Sequence, residues 1–329
     1  MFNFLKTLFL FILLIVLLLG YFCLVGKEKK AEKITWGVVF SSKHSQLLGL
    51  DWTKNYLAIL DDLGAKDLKL VAYWDLIEKK ENDYDFSALD WQLQEAQKRN
   101  VKVLLVIGRK VPRWPECHEP DWLKDKEMEA RNEALFRYLE TLVKRYKDNN
   151  TIWAWQVENE PFFPFGECPE FDEEVLKKEI KIVKKIDDRN RPVVITESGE
   201  FSLWFKPAKL ADIVGHTLYR KVWFQELNTY FTYPFAPAFY GRKAWLVNKI
   251  FGKKVFCSEL QAEPWGRVLL YDLPLEEQKK TMDLARFKKV IQYAQNTGED
   301  RFYLWGVEWW YWLKEHGEPG IWQQAKKLW

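Results

Sequence analysis

The hydrophobic positions after residue 33 fall into eight short runs, each about long enough for one β-strand. Within each run the apolar residues are nearly continuous, which is typical of strands that are buried on both faces. The runs lie at residues 34–40, 68–74, 101–107, 152–157, 192–196, 212–218, 254–259 and 301–307. The pattern therefore predicts a sheet that is covered on both sides.

The segments between these runs have a helical period. Leu135, Leu139, Leu142 and Tyr146, for example, recur every three or four residues, and charged residues lie on the opposite side of that helix. Eight strands alternating with helices over about 295 residues predict an α/β fold, a (β/α)8 TIM barrel. A doubly wound open sheet is the alternative, and it is disfavoured because no glycine-rich phosphate loop follows the first strand.

Residues 219–250 depart from this regular spacing. The segment is rich in aromatic residues, and prolines and a glycine interrupt every possible long helix within it. We expect a loop with short helices here, packed over the mouth of the barrel or against lipid.

The N-terminal 26 residues have another pattern. The stretch from Thr7 to Gly26 is uncharged and rich in Leu, Ile and Phe, and a helix of this length spans the hydrocarbon core of about 30 Å. A cleaved signal peptide is the alternative, but the apolar run exceeds the usual length of about 7–15 residues and no small-residue cleavage site follows it. We therefore predict a transmembrane anchor at 1–26, a charged linker at 27–33 and a barrel domain at 34–329, with the lipid bilayer contacting residues 7–26.

Charge and composition exclude several classes of function. The chain has 50 basic and 47 acidic side chains, a net charge of +3, so nucleic acid is not an expected partner. The four histidines are scattered and no Cys-x-x-Cys pair occurs, so the sequence predicts neither a metal site nor a cofactor. The 18 tryptophans are first of all core material, but those near polar motifs suit stacking against sugar rings.

Two predicted strands end in glutamates. The working residues of this fold lie at the C-terminal ends of the strands. Asn159, Glu160 and Pro161 follow the fourth run in "WAWQVENEP", and Glu259 ends the seventh run in "FCSELQAEPW". One such glutamate alone is weak evidence, whereas two on the fourth and seventh of eight strands form a specific pattern.

These motifs resemble those of clan A of the glycoside hydrolases, retaining (β/α)8 barrels that include family 5 cellulases and mannanases and family 42 β-galactosidases. The resemblance extends from about Trp36 to Trp312 and includes the segment "YWDLIEKKENDYDFSALDWQLQEAQKRNVKVLL". It implies that Glu160 is the general acid/base, that Glu259 is the nucleophile, and that Asn159 contacts the sugar 2-hydroxyl. The expected function is hydrolysis of β-linked oligo- or polysaccharides.

The chemistry explains why two carboxyl groups are needed. One must be neutral, so that it can protonate the departing glycosidic oxygen, and the other must be ionised to attack the anomeric carbon. Carboxyls about 5–5.5 Å apart fit this double displacement with retention of configuration. The retaining assignment comes from the resemblance, since sequence spacing does not measure that distance.

Further substrate contacts follow from the same resemblance. Tyr219 resembles the clan tyrosine that hydrogen-bonds the nucleophile, with a core aromatic as the alternative. Trp305 is the candidate for the tryptophan beneath the cleaved sugar, and Trp309 and Trp310 compete with it for that role. We expect Arg113 and Trp114 to line the mouth, although a helix-capping loop would explain them as well.

Several polar residues near the strand ends carry weaker hypotheses. Lys69 occupies the place on the second strand where many clan members have an arginine. His216 is expected to be a core histidine, and Glu158 to support the site without acting as the acid. Other carboxylates that are candidate sugar ligands are Glu197, Glu263 and Glu308.

Other functions remain open at this stage. A transglycosylase would use the same residues, and a membrane-displayed sugar-binding barrel without activity would normally have lost one glutamate. Aldolases and metal hydrolases with this fold need a Schiff-base lysine or a His/Asp cluster at strand ends, and neither pattern is found.

The compartment is the remaining question. Lys27, Lys29, Lys30 and Lys33 follow the anchor and favour a cytoplasmic barrel, whereas a polymeric glycan substrate favours an extracytoplasmic one, which we expect. The loops that follow the third and fourth strands are neighbours and contain Cys117 and Cys168, so a disulfide between these loops is expected in an oxidising space.

Overall fold

The computed structural model of the chain describes residues 2–329 and contains a closed barrel of parallel strands; Met1, the first residue of the predicted anchor, lies outside the described residues. The barrel strands are β1 (Thr35–Phe40), β2 (Asp67–Val71), β3 (Lys102–Ile107), β4 (Ile152–Val157), β5 (Val193–Glu197), β6 (Ile213–Leu218), β9 (Lys254–Gln261) and β10 (Arg301–Trp305). Between β6 and β9 lies an antiparallel hairpin of β7 (Lys221–Phe224) and β8 (Thr229–Thr232). Each barrel strand pairs with the next one along the chain, and β10 closes the ring on β1.

Helices surround this barrel. They are α1 (Phe2–Leu24), α2 (Ser42–Leu47), α3 (Trp52–Ala58), α4 (Trp74–Ile77), α5 (Ser87–Lys98), α6 (Met128–Tyr146), α7 (Glu173–Ile186), α8 (Phe205–Leu210), α9 (Pro237–Phe251), α10 (Leu275–Thr281), α11 (Leu284–Gln295), α12 (Val307–Glu315) and α13 (Gly320–Ala325). A π-helical turn lies at Ile59–Leu63, and 3-10 turns lie at Asp121–Leu123, Gln225–Leu227, Leu270–Asp272 and Lys326–Leu328.

The core has two parts, because every barrel strand is buried on both faces. Inside the barrel, side chains such as Val39, Leu104, Val194 and Phe256 form a small cluster. A larger cluster fills the space between the strands and the helices, and it includes the apolar stripe of α6. Burial on both faces explains why the strand sequences are continuous in hydrophobic residues.

All eight predicted strands are present, with ends that differ by a few residues, and the predicted TIM barrel is confirmed. The last strand stops at Trp305 because α12 begins almost at once, at Val307. The side chains at the strand ends are therefore the ones that reach the mouth of the barrel.

The secondary structure expected for residues 219–250 is wrong. Instead of a loop with short helices, the segment forms the β7–β8 hairpin followed by the 15-residue helix α9. Asn228 adopts φ 48° in the hairpin turn, and Pro237 opens α9 at a position where its missing N–H is tolerated. Gly241 lies within α9, where a Cβ atom would lie 2.5 Å from the carbonyl oxygen of Thr297.

Among the described residues, one helix is long and apolar enough to cross a membrane. It covers Phe4–Leu24 with a mean hydropathy of 2.9, and none of that segment is buried. A signal sequence near the N-terminus shares these properties, so the membrane anchor remains a prediction.

Candidate active site

The ends of β4 and β9 bring Glu160 and Glu259 to the mouth of the barrel, as the sequence predicted. Both side chains are largely buried, with 9% and 3% of their surface exposed. Glu160 has φ 44°, a backbone conformation that persists at functional sites when neighbouring groups hold it. Here the hydroxyl of Thr196 accepts from the N–H of Glu160 at 2.9 Å, and the hydroxyl of Thr217 donates to its Oε1 at 3.1 Å.

Glu259 is paired with a cation. The Nζ of Lys69, a fully buried side chain from β2, donates to Oε1 of Glu259 at 2.8 Å. The hydroxyl of Tyr219 donates to Oε2 at 3.4 Å, the contact that the resemblance implied. The bond from this ammonium group is a charge-assisted hydrogen bond that holds the carboxyl oxygen in place. A lysine supplies this charge from one point, without the planar fork of an arginine.

Glu160 has the opposite surroundings. Burial, then the charges of Glu259 and Glu116, raise the pKa of Glu160 well above its ordinary value, and Lys110 offsets this only in part. The amino group of Lys110 itself donates to the backbone oxygens of Glu160 and Phe163. The raised pKa favours the protonated form of Glu160, which is the form that a general acid needs.

Glu116 is a third carboxyl group at this site, and sequence reasoning missed it. Its Oε2 accepts from Nδ2 of Asn159 at 3.1 Å, and its side chain is 5% exposed. Burial, followed by the charge of Glu259, raises the pKa of Glu116 to about 8. The one available signal was its place in "PECHEP" after the third strand, where only the cysteine attracted attention.

The loop that presents Glu116 is held from several sides. Cys117 and Cys168 form a disulfide with their Cα atoms 5.2 Å apart, so the predicted pairing is confirmed. Gly166 packs so closely that a Cβ atom there would lie 2.6 Å from Cβ of Glu116. Glu116 itself has φ 74°, which is uncommon for a residue with a side chain. These contacts fix the position of the third carboxyl group.

Both ends of the Asn159 side-chain amide are hydrogen-bonded. Its Oδ1 accepts from Nε2 of Gln156 at 3.0 Å and from the hydroxyl of Thr196 at 3.3 Å. These bonds fix the amide so that Nδ2 points to Glu116. The predicted sugar-binding residue Asn159 therefore lies within the same hydrogen-bonded group as Glu160.

Arg113 does not line the mouth as an accessible residue. It is only 7% exposed, its guanidinium lies 3.9 Å from the ring centroid of Trp305, and it donates to Glu263 and, at 3.0 Å, to Glu308. Burial opposes ionisation of Glu263, but the charge of Arg113 outweighs it and lowers the pKa of Glu263 to about 2. Glu308 also accepts from the N–H of Ser41 and is fully buried. A buried charge needs such partners, so Arg113 and Glu308 support the wall of the site.

The predicted tryptophans have different surroundings. Trp305 is 5% exposed, has Arg113 over its ring, and donates from Nε1 to Glu263 at 2.7 Å. Trp309 and Trp310 are buried in α12 and donate to Gln278 and to the carbonyl of Ala262. Trp305 therefore lies beside Glu263 and Arg113, whereas Trp309 packs within the layer of helices.

Trp114 belongs to a row of aromatic side chains along one side of the mouth. It is 42% exposed and contacts Phe165 with ring centroids 6.0 Å apart. Phe165 continues to Trp265 at 5.9 Å, and Trp265 to Tyr219 at 5.1 Å. This aromatic row (Trp114, Phe165, Trp265, Tyr219) leads from the rim to the partner of Glu259. Phe165 and Trp265 were not predicted.

The weaker candidates divide in the same way. His216 is buried between Trp204 and Tyr240 and bonds to Glu299 at 2.6 Å, as expected for a core histidine. Glu197 lies close enough for its charge to raise the pKa of Glu160, so it is part of the site. Within residues 2–329 no group of three or more His, Cys, Asp or Glu side chains is arranged so that it could hold a metal ion.

Glu158 points away from the two catalytic candidates. Its carboxylate accepts from the N–H groups of Arg109 and Lys110 at 2.7 and 2.6 Å. Together with Glu179 it lines a cavity of about 830 Å³ beneath the loop after β4, beside the site and not within it. Its expected supporting role agrees with these contacts.

Comparisons with known proteins define the class. The model of Glycosyl hydrolase family 10 matches residues 69–179. The β-galactosidase BgaA of Clostridium cellulovorans is 25% identical over 174 residues, which are 46% of this chain but only 26% of that relative. The resemblance to clan A is confirmed, and the family model that matches is that of family 10, whereas family 5 and family 42 were named from the sequence.

Solved structures show the same fold. A β-galactosidase from Halorubrum lacusprofundi has a TM-score of 0.57 at 13% identity and covers 83% of this chain, which spans 52% of its length. Xylanase 10B from Thermotoga petrophila RKU-1, solved with xylobiose, has a TM-score of 0.54 at 15% identity and covers 83% of this chain and 82% of its own. The exo-β-1,4-mannosidase Op5Man5 from Opitutaceae bacterium strain TAV5 has a TM-score of 0.57 at 14% identity, covering 85% and 53%. At such identities the likeness concerns the fold.

Proposed function

We propose that this protein is a retaining β-glycoside hydrolase, with Glu160 as general acid/base and Glu259 as nucleophile. The observation that carries the proposal is the difference in charge around the two carboxyls. Glu259 has Lys69 at 2.8 Å, whereas burial and then the charge of Glu259 raise the pKa of Glu160. The two carboxyls therefore have different surroundings: Glu259 faces a cation, whereas the raised pKa of Glu160 favours its protonated form, and double displacement requires two carboxyls with such different roles.

In the first step Glu259 attacks the anomeric carbon. A bond forms between that carbon and a carboxylate oxygen, and the bond to the glycosidic oxygen breaks. The departing oxygen keeps the electron pair and takes the proton of Glu160. The product is a glycosyl ester on Glu259, and Glu160 is left as a carboxylate.

The second step reverses the roles. Once Glu259 is esterified it has no charge, so a major cause of the raised pKa of Glu160 is absent. Glu160 is then a carboxylate that takes a proton from water while the water oxygen attacks the anomeric carbon. The ester bond breaks, Glu259 leaves as a carboxylate, and Lys69 again stabilises it.

The neighbouring residues fit contacts to sugar hydroxyls and rings. Asn159 is assigned to the 2-hydroxyl, and Glu116, hydrogen-bonded to it at 3.1 Å, to the adjacent hydroxyl. The aromatic row provides faces against which further sugar units stack. The named relatives act on β-galactosides, xylans and β-mannosides, which supports a β-linked glycan as substrate. Transglycosylation is the second candidate, because the same row suits a sugar acceptor as well as a departing one.

We also place the barrel outside the cytoplasm, despite the lysines that follow the anchor. The disulfide between Cys117 and Cys168 supports this, since such bonds persist in oxidising compartments. External protease added to intact cells should remove the barrel, and complete protection would show the opposite orientation.

Trapping of the intermediate tests the reaction. The full chain is incubated with activated 2-deoxy-2-fluoro β-glycosides of the gluco, galacto, manno and xylo series, and its intact mass and peptides are measured. One series should add a single glycosyl group to Glu259, and Glu259→Ala should add none. Absence of labelling and hydrolysis with every series, or labelling at another residue, would contradict the assignment.

A further inference from the structure

The end of helix α1 is built into the folded domain. The N–H of Ala236 donates to the carbonyl of Cys23 at 2.9 Å, and Arg242 donates to the carbonyls of Tyr21 and Phe22 at 2.7 and 2.8 Å. The last carbonyls of a helix have no partner within it, and a cationic side chain there satisfies them. Arg242 therefore caps α1, and the apolar helix is joined rigidly to α9.

The path of the linker shows at which end of the barrel α1 leaves. Helices of this fold run opposite to the strands, so α9 begins at the mouth. Downstream of Cys23, the carbonyl of Gly26 accepts from Ala238, and Glu28 then packs against Gly241. The N–H of Glu28 finally donates to Asn296, which lies just before β10 begins. The linker thus descends from the mouth to the opposite end, and α1 departs on the mouth side.

The exposed apolar side chains are concentrated on that same side. Of the described residues after the linker, all exposed large hydrophobic side chains except Trp245 and Ile250 lie between the C-terminal end of a barrel strand and the first turn of the long helix that follows it. Leu203 and Leu227 are 53% and 65% exposed. Others on this face are Trp114, Phe171, Phe201 and Tyr271. Exposed leucine and aromatic side chains around one face are typical of proteins that sit in the membrane interface.

We propose that the mouth of the barrel faces the bilayer and that the site takes the sugar of a glycolipid, a β-glycoside whose lipid part stays in the membrane. The inference rests on the proposed function and names its substrate class. α1 ends at the level of the mouth, so the membrane surface and the rim of the site coincide. The apolar loops then contact lipid while a head-group sugar reaches Glu160 and Glu259 without leaving the surface.

The geometry is tested without any reaction. The full chain, with Cys23→Ser to remove the half-buried thiol, is placed in phosphatidylcholine nanodiscs with a fluorophore on Leu227→Cys or, as the matched control, on Ile250→Cys. Lipids brominated near the head group should quench the label at 227 and leave the label at 250 unchanged. Equal quenching at both positions, or none at 227, would overturn the proposed orientation.

The substrate class is tested with paired substrates of one sugar, chosen from the trapping series. One is a nitrophenyl β-glycoside in solution and the other an octadecyl β-glycoside in phosphatidylcholine vesicles. Leu203→Asp with Leu227→Asp should lower turnover in vesicles at least about tenfold, since burial of apolar side chains is lost, and leave the soluble substrate unaffected; Trp245→Ser should change neither. If the wild type hydrolyses neither substrate, the proposed function fails while the quenching result stands. If the wild type hydrolyses the soluble substrate, and the double variant turns over the vesicle substrate at the wild-type rate, the glycolipid inference is wrong.

Discussion

Glu160 and Glu259 end equivalent strands of the same barrel, and both are buried, yet their surroundings differ. Lys69 from β2 contacts Glu259 at 2.8 Å. Within residues 2–329 no cationic side chain pairs with the carboxyl oxygens of Glu160; its Oε1 accepts from the hydroxyl of Thr217, and burial, followed by the charges of neighbouring carboxylates, raises its pKa. The same residue type at the same kind of position thus has surroundings that suit a nucleophile in one place and an acid in the other.

The difference originates in elements that are distant in sequence. Lys69 is 190 residues from Glu259, and Glu116 acts on Glu160 from the loop after β3. In a buried site the charges of neighbours decide which protonation state is stable. The proposed roles of the two glutamates therefore depend on β2 and on the disulfide-bonded loop, and substitutions can test each side separately.

Removal of the nucleophile should have the largest effect. Glu259→Ala leaves no oxygen that can form the glycosyl ester, so turnover should fall by roughly four orders of magnitude or more on every substrate. Initial rates on an aryl glycoside and on an oligosaccharide measure this. A variant that keeps more than about one hundredth of the wild-type rate would show that the nucleophile lies elsewhere.

Removal of the acid should have a smaller effect that depends on the leaving group. Glu160→Ala should lose about 10²–10⁴-fold on a natural glycan, whereas an activated aryl glycoside should form the intermediate at nearly the wild-type rate. Added azide, which needs no base, should restore turnover and yield a β-glycosyl azide. Glu158→Gln is the matched control and should show no azide effect. Equal losses of turnover on both substrates for Glu160→Ala would contradict the assignment of Glu160 as the general acid.

The barrel and the two glutamates were predictable because their signals are local. Strands buried on both faces leave continuous apolar runs in the sequence, and residues at their ends must meet at the mouth. Glu160 and Glu259 follow such runs directly. No contact across the barrel is needed to find them.

The rest of the site depends on contacts that no local pattern records. From the sequence, Arg113 was expected to line the mouth. It is buried because Glu263, Glu308 and the face of Trp305 surround it. Glu116 reads as a surface glutamate beside a cysteine, and only the folded loop carries it to Asn159. Side chains whose function depends on tertiary partners are therefore the ones that were misplaced or missed.

Removal of the third carboxyl should lower the pKa of Glu160. Glu116 has a pKa of about 8, so it becomes charged only in alkaline solution, where its charge helps to keep Glu160 protonated. Glu116→Gln keeps an oxygen for Asn159 but removes that charge. The alkaline limb of kcat/KM should then move to lower pH, by about one unit or less, while the acid limb is unchanged. An alkaline limb that stays in place would show that Glu116 does not act on the acid.

The smallest effect on activity is expected at a second pair of carboxyls, Glu158 and Glu179. Both groups have a raised pKa, and neither is proposed to be catalytic. Burial, followed by the charge of Glu158, raises the pKa of Glu179 well above 4.5. At a pH where this carboxyl is ionised in the unfolded chain, folding therefore takes up a proton. The contribution of Glu179 to the free energy of unfolding is complete below the ordinary pKa of a glutamate, and it is lost as pH rises, by about 1.4 kcal/mol per pH unit for one proton.

Glu179→Gln keeps the shape of the side chain and removes its titration. As pH rises above the ordinary pKa of a glutamate, its free energy of unfolding should therefore fall less steeply than that of the wild type, while kcat/KM and its pH profile stay the same. Urea unfolding at several pH values measures the slope, and Glu133→Gln on the exposed face of α6 is the matched control. If Glu179→Gln also moved the alkaline limb of activity, the Glu158–Glu179 pair would act on Glu160 as well. The contrast between Glu160 and Glu259 would then not depend on β2 and the loop after β3 alone.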